Sequence, residues 1–121
     1  MIGLLVALAG GLGAVVRFLV DAAVGGRARR FGMPLGTVVV NVTGSFLLGL
    51  LTGWWATHTA DPGVRLVLGT GFLGGYTTFS TASYETVKLA GEGRWVASAV
   101  NGLGVLVLAV LAAGCGLALT S

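Results

Sequence analysis

The chain has 121 residues, of which 55% are hydrophobic and 9% charged, and its formal net charge is +3. A soluble domain carries roughly a quarter charged residues, so this composition excludes one and indicates a membrane protein with a single domain, residues 1–121. The basic residues lie between apolar stretches, which favours contact with lipid headgroups and argues against a nucleic-acid partner.

Four apolar stretches follow one another along the chain, and each matches the roughly 20 residues that a helix needs to cross a bilayer. They predict an all-α membrane protein with four transmembrane helices at residues 2–20, 35–56, 64–89 and 95–119. Tryptophans prefer the membrane interface, and three of them lie near predicted span ends: Trp54, Trp55 and Trp95.

The first span lacks a basic segment after Met1 and has Arg17 near its far end, so we expect a retained span and not a cleaved signal peptide. Two roles are open for Arg17. Its side chain either extends to the interface or gives an ion vestibule a positive charge.

The second span carries one amide, Asn41, in an otherwise apolar environment. A buried amide is costly unless it is hydrogen-bonded, so Asn41 either joins two helices or directs its N–H groups toward an anion. The spacing of Gly49 with Gly53, and of Gly71 with Gly75, predicts that helix backbones approach closely.

The third span contains two glycines and four small hydroxyl residues at positions 74–81. Glycine and threonine are poor helix formers, so we predict a break here. Backbone groups freed inside a membrane must line a cavity or bind an ion, with carbonyls suited to a cation and helix N-termini to an anion. The alternative is a kink whose hydroxyls satisfy its own backbone.

The fourth span offers Asn101, which either joins helices or lines a pore, and Cys115, which we expect to be a packed and unreactive thiol. The acids Asp21, Asp61 and Glu85 lie away from the predicted span centres, as does Glu92. This disfavours a small proton-coupled cation exporter, which needs a buried carboxylate. No Ser-His-acid arrangement suggests an enzyme.

Lys and Arg are concentrated in the first and third loops, whereas Arg65 alone lies on the side of the two termini. Positive residues are retained in the cytoplasm, so we predict a multi-pass cell-membrane protein with its termini outside and its basic loops inside. The basic loop residues are Arg27, Arg29, Arg30, Lys88 and Arg94.

Three motifs stand in this order along the chain: GGLGAVVR at residues 10–17, GTVVVNVTGSFLLG at 36–49 and GFLGGYTTFST at 71–81. Together with the span number and length, they resemble the Fluc (CrcB) family of fluoride channels. The resemblance implies an antiparallel dimer that lets fluoride leave the cytoplasm passively through two narrow pores, which lowers fluoride toxicity. It implies a passive channel that needs neither ATP nor a redox cofactor.

The resemblance also implies roles for particular residues. A central structural Na⁺ would be held by the backbone carbonyls of Gly74 and Thr77 from both subunits. Phe79 would direct its positive ring edge toward the anion. Asn41 would be a fluoride-facing donor, Ser80 and Thr81 would be polar lining, and Arg17 and Asn101 complete the pore set that the residues suggest.

Two departures from the family pattern concern the pore. The family has a second phenylalanine three residues after the first, where this chain has Ala82, and a polar track where it has Asn101, Val105 and Ala109. With the unbalanced Lys and Arg, these departures favour a heterodimer with an oppositely oriented paralogue over a homodimer. A non-conducting structural membrane subunit remains an alternative function.

Overall fold

The structure, a computed structural model, describes residues 1–28 and 32–121, with the backbone alone at 27–28. The all-α prediction is confirmed, because the described residues form helices joined by short connections. In chain order these are α1 (Ile2–Ala28), α2 (Leu35–Thr57), α3 (Pro62–Arg65), a π-helix (Leu66–Leu73), α4 (Gly74–Tyr76), α5 (Ser80–Gly91) and α6 (Trp95–Thr120).

Three helical segments are long and apolar enough to cross a bilayer: Ile2–Gly26, Leu35–Thr57 and Trp95–Thr120. They agree with the first, second and fourth predicted spans, and the chain is a membrane protein.

The helix that contains the first predicted span is longer than that span, because α1 continues beyond residue 20 to Ala28. Asp21 lies within the helix and packs against Gly36 at the start of α2, where a Cβ would meet the Asp21 carboxylate. Arg29 and Arg30 of the predicted basic loop lie outside the described residues, and the Arg27 side chain is not described.

The third apolar stretch is divided in two. Helical structure runs through α3, the π-helix and α4, then residues 77–79 lie outside any helix, and α5 follows. Thr77 has extended backbone angles, φ −78° and ψ 156°. The longest helix of the stretch, α5, has 12 residues, so no single helix between residues 62 and 91 has the roughly 20 residues of a bilayer crossing.

Glycines bring the helices close together. α2 packs against α6, where a Cβ on Gly49 would collide with the carbonyl of Ala113. α1 packs against the π-helix and α4, where a Cβ on Gly75 would collide with the carbonyl of Gly10. The expectation of close approach at these glycines is thereby confirmed.

The α2–α6 contact gives a matched pair of substitutions on one helix. A Cβ on Gly116 would collide with the carbonyl of Phe46, whereas a Cβ on Gly114 meets no atom within 4 Å. We expect Gly116→Ala to lower stability by about 1–3 kcal/mol, the usual cost of overpacking, and Gly114→Ala to have little effect. Unfolding in detergent measures both, and equal midpoints would contradict this packing.

The outer faces of α1 and α6 expose large apolar side chains such as Leu8, Phe18 and Leu103. Exposed apolar surface of this extent needs lipid or another apolar partner. The expectation that Cys115 is packed is wrong for the single chain, since its thiol lies on this outer face. Gly116, the next residue, faces α2 instead.

Candidate ion site at the helix interruption

An amide from α2 holds the interruption between α4 and α5. The Asn41 Oδ1 atom accepts a hydrogen bond from the Thr78 N–H at 2.8 Å, and its Nδ2 atom donates to the Thr78 carbonyl at 2.8 Å. Both residues are buried, with Asn41 8% exposed. One side chain therefore satisfies both backbone groups of Thr78, which lies outside the helices.

The Thr78 hydroxyl organises the first turn of α5. It accepts a hydrogen bond from the Thr81 N–H at 3.2 Å and donates to the Thr81 hydroxyl at 3.2 Å, while the Ser80 hydroxyl lies 3.4 Å away. This contact satisfies one of the free N–H groups at the start of α5. The site prediction named Ser80 and Thr81 but missed Thr78, which connects them.

The end of α4 leaves carbonyl oxygens without backbone donors. The Thr78 N–H bonds to Asn41 and not to the Gly74 carbonyl four residues earlier, whereas the Thr77 N–H bonds to Leu73 at 2.9 Å. Across the described part of the chain, no backbone N–H reaches the carbonyls of Gly74, Gly75 or Tyr76. The C-terminal end of a helix carries partial negative charge, so this end suits a cation.

Arg17 approaches the same helix end from α1. Its Nη1 atom lies 3.5 Å from the Thr77 carbonyl oxygen. Arg17 also lines a small cavity of about 210 Å³ together with Asp21 and hydroxyl residues. The hydroxyl residues that line it are Thr37, Thr78 and Thr81. We call this space the Arg17 cavity.

A larger groove of about 510 Å³ runs along α5 and α6. We call it the α5–α6 groove. Its lining contains Phe79, an apolar set and six polar residues, which are Asn41, Ser45, Thr77, Thr78, Ser83 and Thr86. That apolar set includes Ala82, Val87, Val105, Leu106 and Ala109. The structure therefore brings three predicted site residues, Asn41, Thr77 and Phe79, to the same groove as the departing positions Ala82, Val105 and Ala109.

Three predicted site residues are open to the surroundings in the single chain. Phe79 is 87% exposed, and Gly74 and Ser80 are also exposed, whereas Thr77 and Thr81 are half-buried. All of them belong to the interruption or to its two flanking helix ends, so the exposed surface there is continuous with the free carbonyls.

Asn101 does not line the groove itself but hydrogen-bonds to Thr86, which does. It is 2% exposed, and its Nδ2 atom donates to the Thr86 hydroxyl at 2.9 Å, while its Oδ1 atom is buried without a partner. The Ser98 hydroxyl donates to the Thr86 carbonyl at 2.7 Å. In the single chain these contacts join α5 to α6, and pore lining by Asn101 stays a prediction.

A second α2–α5 contact was not anticipated from the sequence. The Thr37 hydroxyl donates to the Glu85 Oε1 atom at 2.9 Å, and the Oε2 atom of Glu85 is buried without a partner. Within residues 1–28 and 32–121, no three His, Cys, Asp or Glu side chains come together as metal ligands.

Comparison with known proteins decides the family. A family model described as "CrcB-like protein, Camphor Resistance (CrcB)" matches residues 4–117, nearly the whole chain. The chain belongs to the CrcB-like family. The resemblance inferred from the three motifs is thereby confirmed.

CrcB-like relatives from several bacteria align over most of their length. "Fluoride-specific ion channel FluC 1" of Leifsonia xyli subsp. xyli is 52% identical over 97% of this chain and 85% of its own. "Fluoride-specific ion channel FluC 2" of Cutibacterium acnes is 52% identical over 96% of this chain and 94% of its own. "Fluoride-specific ion channel FluC" of Syntrophotalea carbinolica is 45% identical over 93% of this chain and 91% of its own.

Proposed function

We propose that this chain is a subunit of a fluoride-selective channel in the cell membrane. Fluoride leaves the cytoplasm through it passively, which lowers the toxic concentration inside, and no reaction is catalysed. The observation that carries this function is the 52% identity, over almost the full chain, to relatives named fluoride-specific ion channels. The polar interruption in a membrane protein supports it, because such backbone is tolerated only beside protein, water or an ion.

The finer architecture of the proposal is four membrane crossings in an antiparallel dimer. Residues 62–91 form the third crossing in two helical parts. The exposed Phe79, Gly74 and Ser80 support a second subunit at the interruption, since free carbonyls facing lipid would be unfavourable. The termini lie outside and the loops with Lys88 and Arg94 lie in the cytoplasm, as the charge distribution favours.

A structural Na⁺ fits the free helix end. The carbonyls of Gly74 and Thr77, contributed by both subunits, would hold it, and the fit rests on the carbonyls left without backbone donors after the Thr78 N–H turns to Asn41. Carbonyls at the ends of interrupted helices are common Na⁺ ligands in membrane proteins. When bound, the ion supplies a fixed positive charge near the anion path.

The Na⁺ proposal predicts a mild effect of Thr77→Ser. Serine keeps the backbone carbonyl, and its hydroxyl can replace the Thr77 hydroxyl that donates to the Leu73 carbonyl at 2.9 Å. We expect fluoride efflux within about twofold of the wild type, since a neutral hydrogen bond contributes only about 1 kcal/mol and this one is retained. A severe loss would assign a direct role to the threonine side chain.

Fluoride is strongly hydrated, so a dry path must replace its water with other donors. Asn41 has two N–H groups and uses one for the Thr78 carbonyl, which leaves the other for an anion. Ser80 and Thr81 add hydroxyls, Phe79 adds a ring edge, and Arg17 adds charge. Asn101 completes the set, because its Nδ2 atom uses one N–H for the Thr86 hydroxyl and has a second N–H for an anion in the assembled channel.

A heterodimer explains the apolar wall of the α5–α6 groove. Ala82, Val105 and Ala109 line this groove and offer no donors to an anion. A chain that inserts in one orientation and pairs with an oppositely oriented paralogue can lose one of two pores and retain the other. Within the proposal, the phenylalanine and polar track of the working pore come in part from that partner.

Fluoride-electrode measurements on liposomes test the function and the pairing together. The purified chain is reconstituted alone and after co-expression with a second CrcB-like chain from the same genome. We expect fast fluoride efflux from the co-expressed pair and slow or no efflux from the chain alone. Full efflux from the chain alone would refute the heterodimer, and no efflux from either preparation would refute the channel function.

The same groove favours one second candidate, a non-conducting structural subunit. Its apolar wall at Ala82, Val105 and Ala109 is what such a subunit would have. In that case the pair would conduct equally well when Asn41 or Phe79 of this chain is replaced. Loss of efflux in Phe79→Ile with assembly intact excludes this candidate.

A further inference from the structure

One backbone oxygen, the Thr77 carbonyl, contacts one positive group and is the proposed ligand of a second. The Thr77 carbonyl is a proposed Na⁺ ligand, and the Arg17 guanidinium lies 3.5 Å from it. The Thr77 carbonyl accepts no backbone N–H within the described ranges, so Arg17 is the donor that it has. Two positive groups on one oxygen repel each other, so Na⁺ and Arg17 compete for it.

The contact between the Arg17 guanidinium and the Thr77 carbonyl oxygen is a weak one. A donor–acceptor distance of 3.5 Å lies beyond the usual 2.7–3.2 Å of an N–H···O hydrogen bond. By contrast, Arg65 donates to the Trp55 carbonyl at 3.0 Å. A hydrogen bond as long as that of Arg17 is easily given up to an ion that binds the oxygen directly.

The released guanidinium has a nearby place to go. Arg17 already lines the Arg17 cavity, where the Thr81 hydroxyl can donate to an anion, whereas the Thr37 and Thr78 hydroxyls already donate to Glu85 and Thr81. Asp21 lines the same cavity and its negative charge opposes an anion. The position of the Arg17 charge therefore decides whether the field in this cavity favours an anion or disfavours it.

We propose that Arg17 couples the cation site to the anion path. When Na⁺ takes the Thr77 carbonyl, the guanidinium moves into the Arg17 cavity and makes it attractive to fluoride. This inference rests on the proposed function and adds to it a regulatory link between the two ions. Because coupling between two ligands is reciprocal, fluoride in the cavity must raise the affinity for Na⁺ by the same factor.

Thermal unfolding of the purified, assembled protein in detergent measures this coupling without any flux. Na⁺ is titrated against choline, with choline fluoride or choline chloride at fixed concentration, and the Na⁺ concentration for half-maximal stabilisation is recorded. We expect fluoride to lower it by about fivefold or more, the lower end of ordinary coupling between sites, and chloride to leave it unchanged.

Two variants and a control assign the coupling to Arg17. Arg17→Met and Arg17→Gln remove the charge, and glutamine keeps a donor for the Thr77 carbonyl if methionine disrupts folding. In both variants, the Na⁺ concentration for half-maximal stabilisation should be lower than in the wild type, and fluoride should no longer change it. Arg65→Met removes another arginine that donates to a carbonyl and should leave the coupling intact.

Three results overturn the inference. Fluoride does not change the Na⁺ concentration for half-maximal stabilisation of the wild type, Arg17→Gln keeps the coupling, or Arg65→Met loses the coupling as fully as the Arg17 variants. Absence of any Na⁺ stabilisation overturns it too, because the cation site would then be missing. Fluoride efflux from the same preparation separates these failures from failure of the channel function, since a channel without the coupling still releases fluoride.

Discussion

We expect Asn41→Leu to abolish fluoride efflux through this subunit and to destabilise the protein. Leucine has a similar volume but leaves both the N–H and the carbonyl of Thr78 unpaired in a buried position. Each unpaired buried group costs about 1–3 kcal/mol, so the loss of stability is on the order of 2–6 kcal/mol. Efflux per assembled protein and the unfolding midpoint in detergent are measured together.

A second polar residue of α2 provides the control. Thr52 is exposed, and its hydroxyl donates only to the Leu48 carbonyl of its own helix at 2.7 Å. Thr52→Val should therefore leave both efflux and stability close to those of the wild type. If Asn41→Leu behaves like Thr52→Val, the amide does not hold the interruption, and its role in the account is wrong.

We expect Phe79→Ile to abolish efflux through any pore that uses this ring while assembly stays intact. Isoleucine keeps the apolar volume but lacks the positive ring edge that can face an anion. Phe79 is 87% exposed in the single chain, so the substitution breaks no contact within the subunit core. Fluoride efflux and size-exclusion chromatography of the co-expressed pair measure the two effects separately.

Another exposed aromatic on α5 serves as the matched control. Tyr84 is 68% exposed and lies about one turn beyond Phe79, outside the residues that line the α5–α6 groove. Tyr84→Ile removes an exposed aromatic ring from α5 and should not change efflux. Unchanged efflux in Phe79→Ile would remove this ring from the anion path.

The helices of this fold were largely predictable from composition, because long apolar stretches leave few alternatives to a membrane helix. α2 and α6 agree with their predicted ranges within two residues at each end. The end of α1 was not predictable from the apolar stretch, since the helix continues past Asp21, which packs against Gly36 of α2. No sequence pattern predicted the π-helix at Leu66–Leu73.

At the site, residue types could be predicted but not their partners. Glycine and threonine at positions 74–81 indicated a break, and the structure has its non-helical residues at 77–79. The pairing of Asn41 with Thr78 is a contact between residues 37 positions apart, which local propensity cannot specify. The same holds for Glu85 with Thr37, and for Asn101 with Thr86.

The most direct test is ion release from liposomes that contain the co-expressed pair, followed with fluoride and chloride electrodes in parallel. The account predicts rapid loss of fluoride with chloride retained, and loss of this release when Asn41 or Phe79 of the present chain is replaced. Equal release of both halides, or fluoride release that neither substitution affects, would contradict an anion path at the helix interruption.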